Sequence, residues 1–444
     1  MRKLVVMALV LSLIVIAPSV LAAPKLSLPP RSTWDSDMID IDQVSNTGRG
    51  VYVAVLDTGL APNWKDYFPA DRIASRLGKG FKEDVKWDEK TSNFIESGVV
   101  REIGFIGDTG ETHGTHVTST IIGYNYYSPS DAAQGVPLKP IYVQGIAPDV
   151  TIIPVKVLSD YHIGKSHLNP DYDQMHLVFG TDRAVAAGIH YATDLAVAGY
   201  RPMIITMSLG GPIPADVIED EIDRAIANGV IVVASAGNEG EAGMGYPGAY
   251  PQVISVGACG WRYEWYRPNT LTTPPPPPRY RLWWLQDTTY GYNDIPEPTP
   301  AVDVYIADFS SREKPGQDLD VVAPGSWVRG PFPGDPGYNH LPWWSEGHAK
   351  GIPAGGAFFY VGGTSMAAPH VTSVVALMLQ KNPGLIQGQV ENVLESSALY
   401  IPPGSMTVFD LVPTQGWYTY SWGADATGAG LIQARTALDQ TPPA

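Results

Sequence analysis

The sequence predicts an α/β protein, with a mostly parallel central sheet and helices on both faces. Three observations carry that expectation. Short apolar runs recur at residues 51–57, 151–157, 203–208, 230–235 and 253–257, each the length of a strand buried on both faces. Longer stretches at helical spacing, residues 180–198 and 215–228, lie between them, and such alternation implies parallel strands joined by helices. Polar or glycine-rich turns close several of the runs. In open parallel sheets that carboxyl edge is where sites are built.

From the start of the chain, residues 1–22 read as a secretory signal peptide. Arg2 and Lys3 precede an apolar core at 4–16, and Val20-Leu21-Ala22 is a small-residue exit. The run is interrupted at Pro18 and is shorter than the roughly 18 apolar residues that a span needs. No later segment is longer, so no membrane span is expected in the mature chain. The formal charge is −16, or −18 without Arg2 and Lys3. An acidic surface argues against nucleic acid and anionic membranes as partners. Cys259 is the only cysteine, which excludes an internal disulfide framework. It closes an apolar run and reads as a buried thiol rather than a nucleophile. Residues 23–50 form a lead-in, with 34–50 resembling the start of the main domain. That domain is expected over 51–438, and 439–444 are a tail.

Four segments carry the chemistry. Asp57-Thr58-Gly59 closes the first apolar run, placing a carboxylate at the sheet edge. The same triplet occurs in aspartic proteases, where two carboxylates share a proton, and Asp108-Thr109-Gly110 is a second copy. That copy sits in a polar, glycine-rich setting, which disfavours the aspartic reading. His113-Gly114-Thr115-His116 begins a helix-like stretch. Two histidines three apart can hold a metal, but no acidic or cysteine partner follows at a familiar spacing, and an imidazole base is the better reading. Ser208-Leu209-Gly210-Gly211 and Ser235-Ala236-Gly237-Asn238 close two further runs. Asn238 is either a turn former or an amide donor at the same edge as Asp57. Last, Gly362 and Gly363 lead from Phe358-Phe359-Tyr360-Val361 into Thr364-Ser365-Met366-Ala367-Ala368-Pro369-His370 and an apolar helical pattern. Ser365 therefore opens a buried helix, where free N–H groups favour negative charge developing nearby. An isolated serine there is most often a cap.

Together, in this order, these segments resemble the subtilisin-type serine proteases, the subtilase family, over residues 51–437. Gly145-Ile146-Ala147-Pro148, Tyr246-Pro247, Asp320-Val321-Val322-Ala323-Pro324-Gly325 and Gly428-Ala429-Gly430-Leu431-Ile432 add lesser matches. The resemblance implies the subtilisin-like three-layer fold and a secreted endopeptidase acting on proteins or peptides. It assigns Ser365 as nucleophile, His113 as general base and Asp57 as its orienting carboxylate. Asn238 and the Ser365 N–H would bind the oxyanion. Ser208, Leu209 and Gly210 would pair with substrate backbone, and Gly237 and Gly245 would line the pocket before the cut. An open, glycine-floored pocket suggests large apolar residues there. No cofactor is required for the chemistry.

The chain departs from the family in three respects. Only residues 23–56 precede Asp57, leaving no room for a long propeptide, so unaided folding is expected. Residues 261–306, with Pro274 to Pro278 amid tryptophans and tyrosines, and residues 331–357 read as inserted loops, either surface excursions or an extra wall of the groove. The family's calcium ligands do not carry over. Structural calcium is an open expectation with no ligands assigned, although Asp160, Asp171 and Asp173 are acidic. An inactive relative acting as a binding scaffold would have lost one of Asp57, His113, Asn238 or Ser365, and all four are present. An esterase would share the triad, but the strand-pairing edge favours peptides. A monomer is expected.

Overall fold

A computed structural model of the protein describes residues 33–108, 112–126, 140–165, 176–264, 295–333, 341–345, 357–410 and 416–444. The elements that matter to the site are, in chain order, α1 (Trp34–Asp37), β1 (Tyr52–Asp57), β2 (Lys79–Asp88), β3 (Asn93–Ile103) and α2 (His113–Ile122). There follow β4 (Thr151–Lys156), α3 (Asp182–Val197), β5 (Met203–Met207), α4 (Asp216–Ala227), β6 (Ile231–Ser235) and β7 (Ile254–Trp261). The chain closes with β8 (Val304–Ile306), β9 (Val321–Pro324), α5 (Thr364–Lys381), α6 (Gln387–Ser397) and α7 (Ala434–Gln440).

The central sheet runs β8-β7-β6-β5-β1-β4-β2-β3, with β9 also paired to β7. β1 pairs in parallel with both β4 and β5, and the parallel ladder continues through β6, β7 and β9. Only the edges are antiparallel, at β7–β8 and β2–β3. The strands expected at 51–57, 151–157, 203–208, 230–235 and 253–257 are present in this sheet, while the apolar run Phe358-Phe359-Tyr360-Val361 is a strand of another.

β1 shows why three layers form. Side chains alternate across a strand, so Val53 and Val55 enter one core with Ile121 of α2 and Val371, Val374 and Val375 of α5. Ala54 and Leu56 enter the other, with Ile189 of α3 and Ile222 of α4. α4 is a surface helix and buries Ile218, Ile222 and Ala225 only. Residues 364–379 of α5 are buried throughout, because that helix is wrapped by sheet and helices on all sides.

Several features were not anticipated. Residues 79–103 form a long hairpin, β2–β3, at the sheet edge. Phe358–Val361 belongs to a separate antiparallel sheet with Val328–Pro331 and Trp343–Ser345, so part of the segment read as a loop at 331–357 is strand. The ends of the 261–306 segment are likewise strand, since Trp261 closes β7 and pairs with Val304 of β8. Residues 1–22, Pro274 to Pro278, Asp171 and Asp173 lie outside the described residues. Among the described residues, no helix is long and apolar enough to cross a membrane.

Candidate active site

β1 delivers Asp57 to the carboxyl edge of the sheet with its side chain 1% exposed. There its carboxylate accepts the Thr58 N–H at 2.6 Å and lies 2.9 Å from His113 Nδ1 through both oxygens. His113 opens α2. The residue after it must be glycine: a Cβ on Gly114 would come 2.5 Å from the Gly59 carbonyl and 3.1 Å from Asp57 Oδ1. The bond to Asp57 puts the imidazole proton on Nδ1 and leaves Nε2 as the basic nitrogen. Burial pulls the His113 pKa down, but the charge and hydrogen bond of Asp57 more than reverse this, and the net shift is upward.

The other readings of these motifs do not survive the geometry. His116 is buried with Nε2 3.1 Å from the Val328 carbonyl, and burial holds its pKa at about 4. The two histidines therefore serve different partners and do not form a metal pair. Asp108, from the second Asp-Thr-Gly, pairs with Lys156, while Asp57 pairs with His113, so the two carboxylates do not share a proton. Cys259 is buried and its thiol is pushed up by that burial, as expected of an inert cysteine.

Ser365 is the second residue of α5, so its N–H lies in the first turn, where no intrahelical acceptor exists. Four residues on, Pro369 has no N–H to offer the Ser365 carbonyl. That carbonyl instead accepts the Ser208 hydroxyl at 2.8 Å, and Ser365 Oγ donates to the Ser208 carbonyl at 3.3 Å. Among the described residues no direct hydrogen bond joins Ser365 Oγ to His113. Such contacts commonly tighten only when substrate is bound. Asn238, three residues beyond β6, has its Oδ1 engaged by the Thr364 N–H at 2.8 Å and the Thr364 hydroxyl at 2.9 Å. These bonds fix the amide's orientation, with Nδ2 directed away from Thr364.

The expected substrate edge is assembled as one unit. Ser208, Leu209 and Gly210 follow β5, and the Leu209 carbonyl accepts Ser235 Oγ at 3.3 Å. Gly211 and Tyr246 exchange backbone hydrogen bonds at 2.9 and 2.8 Å, and Gly245 N–H donates to the Ala236 carbonyl at 2.9 Å. Gly210, Gly237 and Gly245 thus lie together: a Cβ on Gly237 would come 3.0 Å from Gly245 N, and one on Gly245 would come 3.9 Å from Gly210 Cα. Three contributors were missed in the sequence: Thr364, which holds Asn238; Ser311, whose Oγ accepts the Glu239 N–H at 3.1 Å; and Glu239, whose carboxylate accepts the Asn238 N–H at 2.7 Å. Ordinary polar residues beside a motif carry no signal of their own.

Among the described residues, two sets of carboxylates bring oxygens within 4.8 Å of one another: Asp37, Asp42 and Glu297, and Asp320, Glu391 and Glu395. All-oxygen sets suit calcium rather than a transition metal, and burial raises the pKa of Asp320, Glu391 and Glu395. Neither set includes Asp160, and Asp171 and Asp173 lie outside the described residues.

A family model described as the subtilase family matches residues 48–426. The chain belongs to the subtilase family. Among relatives, it is 27% identical over 413 residues to fervidolysin of Fervidobacterium pennivorans, covering 91% of this chain and 43% of that one. It is 28% identical over 359 residues to Subtilisin E of Bacillus subtilis (strain 168), covering 80% of this chain and 62% of the other. The chain thus spans about two-fifths to three-fifths of the length of these relatives. Its fold resembles that of Sphericase, with a TM-score of 0.51 at 24% identity over 90% of this chain and 97% of that one. The crystal structure of fervidolysin, titled as a keratinolytic enzyme related to subtilisin, gives a TM-score of 0.52 at 25% identity over 92% of this chain and 46% of that chain.

Proposed function

We propose that this subtilase is a serine endopeptidase in which Ser365 Oγ attacks the scissile carbonyl. His113 Nε2 takes the hydroxyl proton and returns it to the leaving amine, while Asp57 holds the tautomer and stabilises the imidazolium. The developing oxyanion is met by the Ser365 N–H and the Asn238 side-chain amide. Substrate lies as an added strand along Ser208, Leu209 and Gly210. Gly237 and Gly245 present no side chains to the residue before the cut, which favours large apolar residues there.

The observation that carries this reading is the Asp57–His113 pair at 2.9 Å, set at the same sheet edge as the first turn of α5. No cofactor takes part in these steps. Calcium, where bound, would be structural, and Asp320, Glu391 and Glu395 are the residues that would hold it. We further infer export directed by residues 1–22, a catalytic domain over 51–438 with 23–50 leading into it, and a monomer.

The test is the mass shift of the purified protein after treatment with a fluorophosphonate, beside a Ser365→Ala control, followed by matched peptide and ester substrates. Labelling of the wild type alone with peptide hydrolysis is the expected result. Ester hydrolysis without peptide hydrolysis would replace protease by esterase. A folded, unlabelled wild type would make the chain an inactive scaffold.

A further inference from the structure

Lys156 ends β4 and stands in register beside Asp57 of β1. Its side chain is 1% exposed, a rare setting for an ammonium. Nζ lies 3.3 Å from Asp108 Oδ2 and donates to the Thr58 carbonyl at 3.4 Å. Thr58 follows Asp57, donates its N–H to that carboxylate, and accepts the Gly114 N–H on Oγ1 at 3.0 Å. Asp108 lies five residues before His113 and directly follows a stretch laced to the same turn. Leu60 N–H donates to the Phe105 carbonyl at 3.1 Å, and Gly107 N–H donates to the Leu60 carbonyl at 2.8 Å.

The packing leaves little slack. Gly59 has φ +81°, and a Cβ there would come 2.0 Å from the Phe105 carbonyl and 3.2 Å from Lys156 Cβ. The turn, the segment at 105–108 and the lysine stem are stacked in direct contact. Among the described residues, the charged neighbourhood is small. Asp57 stands beside Lys156 in register, Asp108 pairs with it, and His116 on α2 is kept neutral by burial. On β2, flanking β4 on the other side, Lys79 pairs with Glu102 at 2.9 Å.

We propose that Lys156 is a positioning residue for the reaction: its buried ammonium ties the turn after Asp57 to the segment that approaches His113, and with Asp108 it balances the charge that the Asp57–His113 pair experiences. The inference rests on the roles proposed for Asp57 and His113. A lysine that only filled space would be replaced at no loss by methionine, since desolvating an ammonium is unfavourable. The two charges of the pair act on the imidazolium with opposite sign, so removing each moves His113 in opposite directions.

The test compares wild type with Lys156→Met, Lys156→Arg and Asp108→Asn, reading kcat and KM on a chromogenic peptide from pH 5 to 9 and the rate of fluorophosphonate labelling. Lys156→Met should lower kcat by roughly ten- to a hundredfold at unchanged KM. Its acid limb should move to higher pH, because the cation beside Asp57 is gone and Asp108 remains. Asp108→Asn should also lower kcat but move the limb to lower pH. Lys156→Arg should restore the limb to its wild-type place. A folded Lys156→Met with wild-type kcat and an unmoved limb overturns the proposal, as do limbs that move together in the Met and Asn variants. Should Lys156→Met fail to fold, Asp108→Asn decides alone, its side chain being 48% exposed, and an unmoved limb overturns the inference. A wild type that never labels overturns the proposed function and this inference with it. A wild type that labels, with variants indistinguishable from it, overturns this inference only.

Discussion

His113 is where the chemistry of single residues can be read most directly. As a base it must be neutral, so kcat/KM should rise with pH through its pKa. The Asp57 charge and hydrogen bond outweigh burial and raise that pKa, so the acid limb should lie above the ordinary histidine value of about 6.5. Asp57→Asn should move the limb down and lower kcat by about 10⁴-fold, since the asparagine stabilises the wrong tautomer. A limb left in place would mean that another group titrates. Asn238→Ala should lower kcat by about 10²–10³-fold with KM little changed, the size of loss known for such a donor in a subtilisin. Thr364→Val should cost less, because the Thr364 N–H still holds Oδ1 when its hydroxyl is removed. The motif residues were legible in the sequence because the chemistry dictates their type and order. Lys156, Thr364 and Glu239 were not, because their parts depend on register and on contacts between segments distant in the chain, such as Thr364 with Asn238.

Among the elements, the joint between α6 and the start of β9 should respond to pH. Asp320, just before β9, accepts the Ser255 N–H and hydroxyl, both at 2.7 Å, and faces Glu391 and Glu395 of α6. Burial pushes Asp320 up to about 7, against the downward pull of the Ser255 hydrogen bonds. Its folded pKa lies above the unfolded value of about 3.9, so the protonated form is the stabilising one. That contribution is fully present below about pH 4 and is lost as pH rises through about 7. Tm should therefore fall between pH 5 and pH 8 in the wild type and fall by several degrees less in Asp320→Asn, which keeps an oxygen acceptor for Ser255. Thermal melts at fixed ionic strength with a calcium chelator present check this, and parallel curves for the two proteins would refute it. Parallel strands and helices were readable in the sequence because apolar runs and helical spacing are local. The β2–β3 hairpin was not, because its outer strand leaves Ile95 and Val99 exposed and mixes charge into both faces, so no clean alternation marks it.

At the scale of the whole molecule, the segment ahead of β1 closes the fold and ties distant parts of the chain to the helix carrying Ser365. Trp34, Met38 and Ile39 are buried at 2%, 0% and 0% exposure in the core shared with α5 and α7. Asp35 Oδ2 lies 3.1 Å from Nε2 of His370 in α5. The Ile39 carbonyl accepts the Ala434 N–H of α7 at 2.9 Å, and the Met38 carbonyl accepts the Thr299 hydroxyl at 2.9 Å. Three side chains buried to this degree contribute about 1.5–3 kcal/mol each, a large fraction of the roughly 5–15 kcal/mol that separates folded from unfolded domains. The sequence placed residues 34–50 at the start of the main domain, while the specific ties, made to residues 260 to almost 400 positions away, have no local signal. Removing residues 33–44 should therefore prevent folding altogether. A finer test is Ile39→Ala, which should cost about 2–5 kcal/mol in denaturant unfolding while leaving kcat and KM unchanged at a temperature where the variant is folded, because Ile39 touches none of the reacting groups. An undiminished stability would show that the segment is an ornament on the surface of the fold, and a lowered kcat at full folding would show that α5 transmits its packing to Ser365.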